Sequence, residues 1–180
     1  MFEFFFKAYG WIFNFGKKNA MAITYRKIEQ RDNTELAEVI RTILREFKID
    51  KPGTVYTDPT TDHLSDVFTA EKSVYWVAEE DGKLIGGCGI YPTAGLPDGC
   101  VELVKLYTAA EARGKGVGKM LMQKSIESAQ HFGYNEVYLE SFPELKTAIS
   151  MYEKTGFKKL SAPLGNSGHF ACNVWMLVVL

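Results

Sequence analysis

The sequence is poor in cysteine: three residues in 180, Cys88, Cys100 and Cys172, with no C-x-x-C pair and no histidines at zinc-finger spacing. An odd, widely spaced set of thiols predicts neither a disulfide framework nor a structural metal, and it fits a reducing compartment, the cytoplasm. An excess of charge is also missing. Lys and Arg number 21 against 22 Asp and Glu, a formal net charge of −1. No whole-molecule field gathers nucleic acid or anionic lipid, so any anion must be bound locally. Nor does any apolar run approach the roughly 20 residues that cross a bilayer. The nearest candidate, residues 1–19, is broken by Glu3 and Lys7, which leaves an apolar run only from Ala8 to Phe15. It lacks the basic start and small-residue cleavage site of a secretory signal, and stable membrane insertion is not expected. Composition excludes collagen-like, disordered and low-complexity classes, and no internal repeat appears.

What remains is globular. With 46% hydrophobic residues, the chain can bury one core and is too short for two ordinary domains. Read as a helix, residues 1–20 place Phe2, Phe5, Phe6, Tyr9, Ile12 and Phe13 on one stripe, with Glu3, Lys7 and Asn14 opposite. Such a helix suits docking on its own domain, on a second copy in a homodimer, or on a membrane surface, although Lys17 and Lys18 are a thin basic cluster for the last. The segment can equally be an extension, since Met21 opens a natural first strand over residues 22–28. A single domain over residues 21–180 is therefore predicted.

From there the punctuation is regular. Asp32 to Glu35 has the form of a helix cap, and Leu36, Val39, Ile40, Ile43, Leu44 and Phe47 recur at helical spacing. A turn-rich stretch over residues 50–59 precedes a short helix over 61–69. Residues 73–79 and 83–91 read as strands joined at Asp81-Gly82, a hairpin signal. Further elements are a strand over 101–107, a helix over 116–132 stopped by Gly133, a strand over 136–140, a helix over 145–155 ended at Gly156, and strands over 157–160 and 172–179. This order predicts an α+β domain with a mixed sheet.

Chemistry concentrates where a strand runs through Tyr107-Thr-Ala-Ala-Glu-Ala-Arg-Gly-Lys-Gly-Val-Gly-Lys119 into a helix. Unpaired N–H groups at a helix start attract anions, and glycine lets phosphate oxygens approach the main chain. Two nucleotide motifs fail here. A P-loop needs Gly at 113 and Ser or Thr at 120, where Arg113 and Met120 stand; a dinucleotide motif needs Gly at 119, where Lys119 stands. Glycines inside a helix cost about 1 kcal/mol each, so a mere turn is a poor account of them.

At these residues the sequence resembles the GNAT superfamily of N-acetyltransferases, whose signature of Arg or Gln, two residues, Gly, one residue, Gly or Ala is met by Arg113-Gly-Lys-Gly116-Val-Gly118. The family's later A-x-x-x-Y-x-x-x-G-F block is met by Ala148, Tyr152, Gly156 and Phe157. The resemblance runs from about residue 22 to 180 and implies a central mixed, mostly antiparallel sheet flanked by helices, to which the N-terminal helix would be an addition. It implies direct transfer of the acetyl group of acetyl-CoA to a primary amine, without a covalent enzyme intermediate. It assigns the cofactor's pyrophosphate to the backbone of Arg113, Gly114, Lys115, Gly116, Val117, Gly118 and Lys119, and its pantetheine arm to the backbone of Leu106, Tyr107 and Thr108. Lys115 and Lys119 are either phosphate contacts or solvated helix-start charges.

The resemblance further implies that Tyr152 protonates the departing thiolate; otherwise it is a packed aromatic. Glu102 matches a position where some members hold a base for the attacking ammonium, the alternatives being a solvent-facing carboxylate or water as base. One departure is Leu145, where the family often has an Asn near the pantetheine; Lys146 and Ser141 are nearby substitutes. His169, in the turn-rich stretch 165–172, is either an acceptor-side base or orienting group, or a structural hydrogen-bonder; Cys172 reads as a small buried apolar residue. The acceptor walls fall at residues 47–62 and 92–99, where Tyr56 and Asp58 could receive a cationic amine. The acceptor is an amine of a small molecule or peptide, with no nucleic-acid partner expected. A non-catalytic acyl-CoA sensor or an interaction module on the same fold is the alternative.

Overall fold

The computed structural model describes residues 22–180. The accessory helix expected over residues 1–20 lies outside the described residues. Strand β1 (Thr24–Lys27) leads through a 3-10 turn (Gln30–Asp32) into α1 (Asn33–Glu46). A second 3-10 turn (Pro59–His63) and the one-turn α2 (Leu64–Val67) precede β2 (Val74–Glu80) and β3 (Lys83–Tyr91). Next come β4 (Cys100–Thr108), a 3-10 turn (Ala110–Ala112), α3 (Val117–His131), β5 (Glu136–Ser141), α4 (Lys146–Lys154), β6 (Lys158–Lys159) and β7 (Val174–Val179). They form one seven-stranded sheet in the order β1-β2-β3-β4-β5-β7-β6. Among the described residues only the β4–β5 pairing is parallel.

Alternation of side chains along β2 divides the buried residues between two faces. Val74 and Ala78 join Leu121, Met122 and Ala129 of α3 on one face, whereas Tyr75 and Val77 join Leu36, Ile40 and Leu44 of α1 on the other. Element boundaries match the sequence pattern to within a few residues, with two differences of substance. The Asp32 carboxylate does not cap α1. It accepts from the Glu29 amide at 2.7 Å, closing the preceding 3-10 turn, and pairs with Arg26 at 2.6 Å. The penultimate strand shrinks to two residues, because the chain after Lys159 leaves the sheet for a long excursion to Asn173.

The feature that positions the site is a break in the middle of the sheet. Strands β4 and β5 pair only from Cys100–Glu136 to Leu103–Leu139, after which β4 continues with β3 alone. In that continuation Val104 lies opposite Gly89 and Tyr107 opposite Gly87. Two residues of β4, Lys105 and Leu106, therefore face Cys88 alone, which is a bulge, and Lys105 adopts the left-handed φ of 51°. The buried Tyr75 hydroxyl donates to the Lys105 carbonyl at 2.8 Å. Its ring lies directly on Gly87 and Gly89, where no side chain fits.

Gly89→Ala tests this arrangement: the added Cβ would stand 2.6 Å from Tyr75 Cδ2 and 2.7 Å from the Val74 carbonyl oxygen. Overpacking of this kind costs roughly 1–3 kcal/mol. Tyr75→Phe leaves the Lys105 carbonyl without its donor, at a cost of roughly 1–3 kcal/mol. Urea unfolding should give lower midpoints for both variants.

Candidate active site

Where β4 and β5 part, a cleft opens, lined by Glu102 to Tyr107 of β4, by Glu140, Ser141 and Phe142, and by Val55, Leu145, Tyr152, His169 and Cys172. The bulged half of β4 presents an unpaired backbone edge to it. Leu106 and Thr108 are half-buried along this edge, while the Tyr107 ring turns into the α1-side core.

At the far end of β4 the chain makes the Ala110–Ala112 turn and enters α3 through two left-handed glycines, Gly114 (φ 76°) and Gly116 (φ 78°). Gly116 is the N-cap of α3 and offers no side-chain acceptor. The amides of Gly116, Val117, Gly118 and Lys119 accordingly have no acceptor among the described residues, and a Cβ at Gly114 or Gly116 would meet nothing within 4 Å. Four donors thus face open space at the positive end of a helix dipole, a cradle for an anion. Gly118 is helical and touches Thr108 and Met151 at ordinary distance.

The loop's own cations are largely engaged. Arg113 makes a bidentate pair with Glu46 at 2.5 and 2.6 Å and stacks over Phe47, and Lys115 pairs with Glu80 at 2.7 Å. These side chains tie the loop to α1 and β2. Lys119 instead borders a groove between α3 and α4 together with Lys146 and Lys154.

The other end of the cleft is lined by two carboxyl groups, Glu102 and Glu140, and a third, Asp58, is bound to its wall residues Lys105 and His169. Glu102 is buried, 3% exposed, and accepts from the Thr93 hydroxyl. Burial, reinforced by the neighbouring Glu140 charge, pushes it up to about 7, against the opposing influence of Thr93, His169 and Lys105. Asp58 caps the Pro59–His63 turn, and its Oδ1 accepts from the Thr60 amide and hydroxyl at 2.9 and 2.7 Å. Its Oδ2 lies 2.6 Å from the ammonium of Lys105 and 3.3 Å from His169 Nε2. Burial acts to raise Asp58, but His169, Lys105 and Thr60 hold it well below the usual carboxylate range. Glu140 accepts from the Tyr138 and Ser167 hydroxyls, each at 2.8 Å.

Tyr152 of α4 is 6% exposed and lines the cleft, and its hydroxyl has no hydrogen-bond partner among the described residues. Burial, with Cys88 and Tyr107 nearby, holds its phenol well above the ordinary value, so it is a proton donor and not a phenolate. Cys172 is half-buried and lines the cleft, unlike the apolar core residue expected; burial and the charges of Glu140 and Glu102 push its thiol up to about 12, which leaves it un-ionised.

The structure thus brings Glu102, Tyr152 and His169 to one cleft and sets Asp58 behind its wall, bound to Lys105 and His169. Tyr56 is elsewhere: it does not line the cleft, and its ring and hydroxyl face Arg45 of α1. Leu145 and Ser141 both reach the cleft, whereas Lys146 lies in the lysine groove. Sequence reasoning missed Thr93, Lys105, Glu140 and Ser167. Thr93 falls within the expected wall over 92–99 and Ser167 within the turn-rich stretch 165–172, whereas Lys105 and Glu140 carry no local signal: the bulge turns Lys105 inward, and Glu140 shares the face of buried Tyr138.

Residues 37–157 match the acetyltransferase (GNAT) family. The chain is similar to the uncharacterized N-acetyltransferase YjgM of Escherichia coli (strain K12), with 39% identity over 84% of this chain and 92% of that one. Human N-acetyltransferase 8 is 34% identical over 63% of this chain, which spans 53% of its length. Among solved structures, a GNAT acetyltransferase from Staphylococcus aureus Mu50 superposes with a TM-score of 0.75 at 20% identity, covering 88% of this chain and 99% of that one. The paiA N-acetyltransferase of Thermoplasma acidophilum, in complex with coenzyme A, superposes with a TM-score of 0.68 at 20% identity over 89% of this chain and 100% of its own.

The raised Glu102 carboxyl has a consequence for stability with a definite sign. Below its ordinary value of 4.5 the residue is protonated whether the chain is folded or not. As pH climbs to about 7 the unfolded chain ionises freely and the folded one does not, so Glu102 draws stability down over that window. Glu102→Gln removes this dependence. Between pH 5 and pH 8 the wild type should lose roughly 2–3 kcal/mol relative to the variant in urea unfolding.

Proposed function

Because the chain belongs to the GNAT acetyltransferase family, matched over residues 37–157, and is an acyltransferase, we propose that it transfers the acetyl group of acetyl-CoA directly to a primary amine of a small-molecule or peptide acceptor. The observation that carries this reading is the convergence of buried Glu102 and buried Tyr152 on one cleft along the unpaired edge of β4. The cradle at α3 fits the cofactor's phosphates: four free amides, open space above Gly114 and Gly116, and Lys119 beside them. Arg113 and Lys115 hold the loop through Glu46 and Glu80, and the amides of Gly116, Val117, Gly118 and Lys119 bind the pyrophosphate. The unpaired edge at Leu106, Tyr107 and Thr108 would hold the pantetheine arm. Bound acetyl-CoA supplies an acyl thioester as the electrophile.

The chain's own groups then move protons. An alkylamine arrives as an ammonium ion and must lose a proton before its lone pair can attack. Glu102, poised near 7, accepts that proton and passes it to water. A carbon–nitrogen bond forms and the carbon–sulfur bond breaks. Tyr152 donates its hydroxyl proton to the sulfur and is restored by the second proton that the nitrogen sheds, so the products are an amide, a thiol and one released proton. Cys172, held as a thiol, is a poor nucleophile, which supports direct transfer over an acyl-cysteine route.

Calorimetric titration of acetyl-CoA should give binding to the wild type that Gly116→Trp loses. With an amine panel and thiol-release detection, Tyr152→Phe should lower kcat by roughly 10²-fold or more while acetyl-CoA affinity is unchanged. The acid limb of kcat/KM should fall near pH 7 and disappear in Glu102→Gln. A wild type that binds no acetyl-CoA overturns the proposal.

A further inference from the structure

The three carboxyl groups at the acceptor end are not equivalent. Asp58 is spent: both of its oxygens are occupied, one by the Thr60 amide and hydroxyl and the other by buried Lys105 and by His169. Glu102 is buried against Thr93, in surroundings that favour the neutral acid. Glu140, like Glu102, is met only by neutral donors, here the hydroxyls of Tyr138 and Ser167, and no cation pairs with it among the described residues; unlike Glu102 it is not fully buried and so stays open to an entering group. It is half-buried, lies at the end of β5 where the strands have parted, and faces the same opening as the unpartnered Tyr152 hydroxyl. An uncompensated charge in a partly dry cleft is costly and calls for a counter-ion.

We infer that Glu140 is the specificity-determining residue of the acceptor site, and that its carboxylate receives the ammonium group of an aliphatic primary amine. This rests on the acetyltransferase reading and sharpens it. Asp58, the first choice from sequence, serves the wall instead, by holding Lys105 and His169 in place. Tyr138 and Ser167 fix the Glu140 carboxylate from two sides, one on β5 and one on the excursion between β6 and β7, so the charge stands in a set position when the amine enters. Ammonium ions are then selected over amines that are neutral at working pH, because a neutral nitrogen leaves the charge unmet.

The test uses ligand-observed saturation-transfer NMR on the full chain saturated with coenzyme A, so that no turnover is needed. Butylamine, charged at pH 7, is compared with aniline, which is not. Butylammonium should bind the wild type, weaken roughly tenfold or more in Glu140→Gln, and recover in Glu140→Asp; aniline should respond to neither change. In the wild type alone, added salt should weaken butylammonium and spare aniline, which keeps the test open should Glu140→Gln fold poorly. Butylammonium that does not bind, or that binds Glu140→Gln as it binds the wild type, overturns the assignment. Failure of coenzyme A itself to bind strikes the acetyltransferase reading instead, so the two failures are distinct.

Discussion

Two residues of β4 stand opposite one of β3, and a strand so bulged cannot keep its register with both neighbours. The Tyr75 hydroxyl bound to the Lys105 carbonyl holds the bulge in place, and the two glycines beneath its ring give that side chain room to lie across β3. Everything functional follows from the parting of the strands. It frees the backbone edge of β4, it opens the cleft that Tyr152 and Glu102 share, and it delivers the chain to the glycine loop at the right end of the sheet. The hydrophobic faces above and below are ordinary by comparison.

Charge is distributed along the cleft with a matching logic. At the loop end, cationic side chains are paired with acids, and bare amides are left to face an anion; at the other end, a buried cation pairs with Asp58 and leaves Glu140 without one among the described residues. A net charge of −1 conceals this separation. Burial does the remaining tuning. It lifts Glu102 toward neutrality and keeps Tyr152 and Cys172 protonated, so that one carboxyl, one phenol and one thiol within a single cleft have separate chemical characters.

The fold was largely legible in the sequence, because helices α1 and α3 and the β2–β3 hairpin carry strong periodicity and clear turns. So was the loop, since Arg113-Gly-Lys-Gly116-Val-Gly118 needs no tertiary contact to be read. The acceptor end was not. Glu140 and Lys105 are surface-like residue types on strands: the β4 bulge turns Lys105 inward, and Glu140 follows buried Tyr138 on the same face of β5, beyond the point where β4 and β5 stop pairing. A signal for the bulge did exist: Gly86, Gly87 and Gly89 inside one strand point to a close approach of another group. Tyr56 shows the reverse error: beside Val55, which lines the cleft, it faces Arg45 of α1, because the chain turns there, with the Thr57 amide donating to the Thr54 carbonyl.

Lys105 answers to two masters. Its backbone makes the bulge at a left-handed φ, and its side chain crosses the cleft to Asp58, a residue 47 positions earlier in a different loop. The wall formed by residues 47–62 is therefore not a free module. Grafting the corresponding loop of a relative that lacks the acid would strand a buried ammonium without a partner, and trimming Lys105 to match would alter the residue that shapes the central break. Recombination between such enzymes must exchange the loop and the strand together. Diversity in acceptor choice is then easier to reach through the excursion between β6 and β7, which meets that wall through the His169 ring at Asp58 and otherwise holds to the cleft through hydroxyls and main-chain contacts that many sequences can supply.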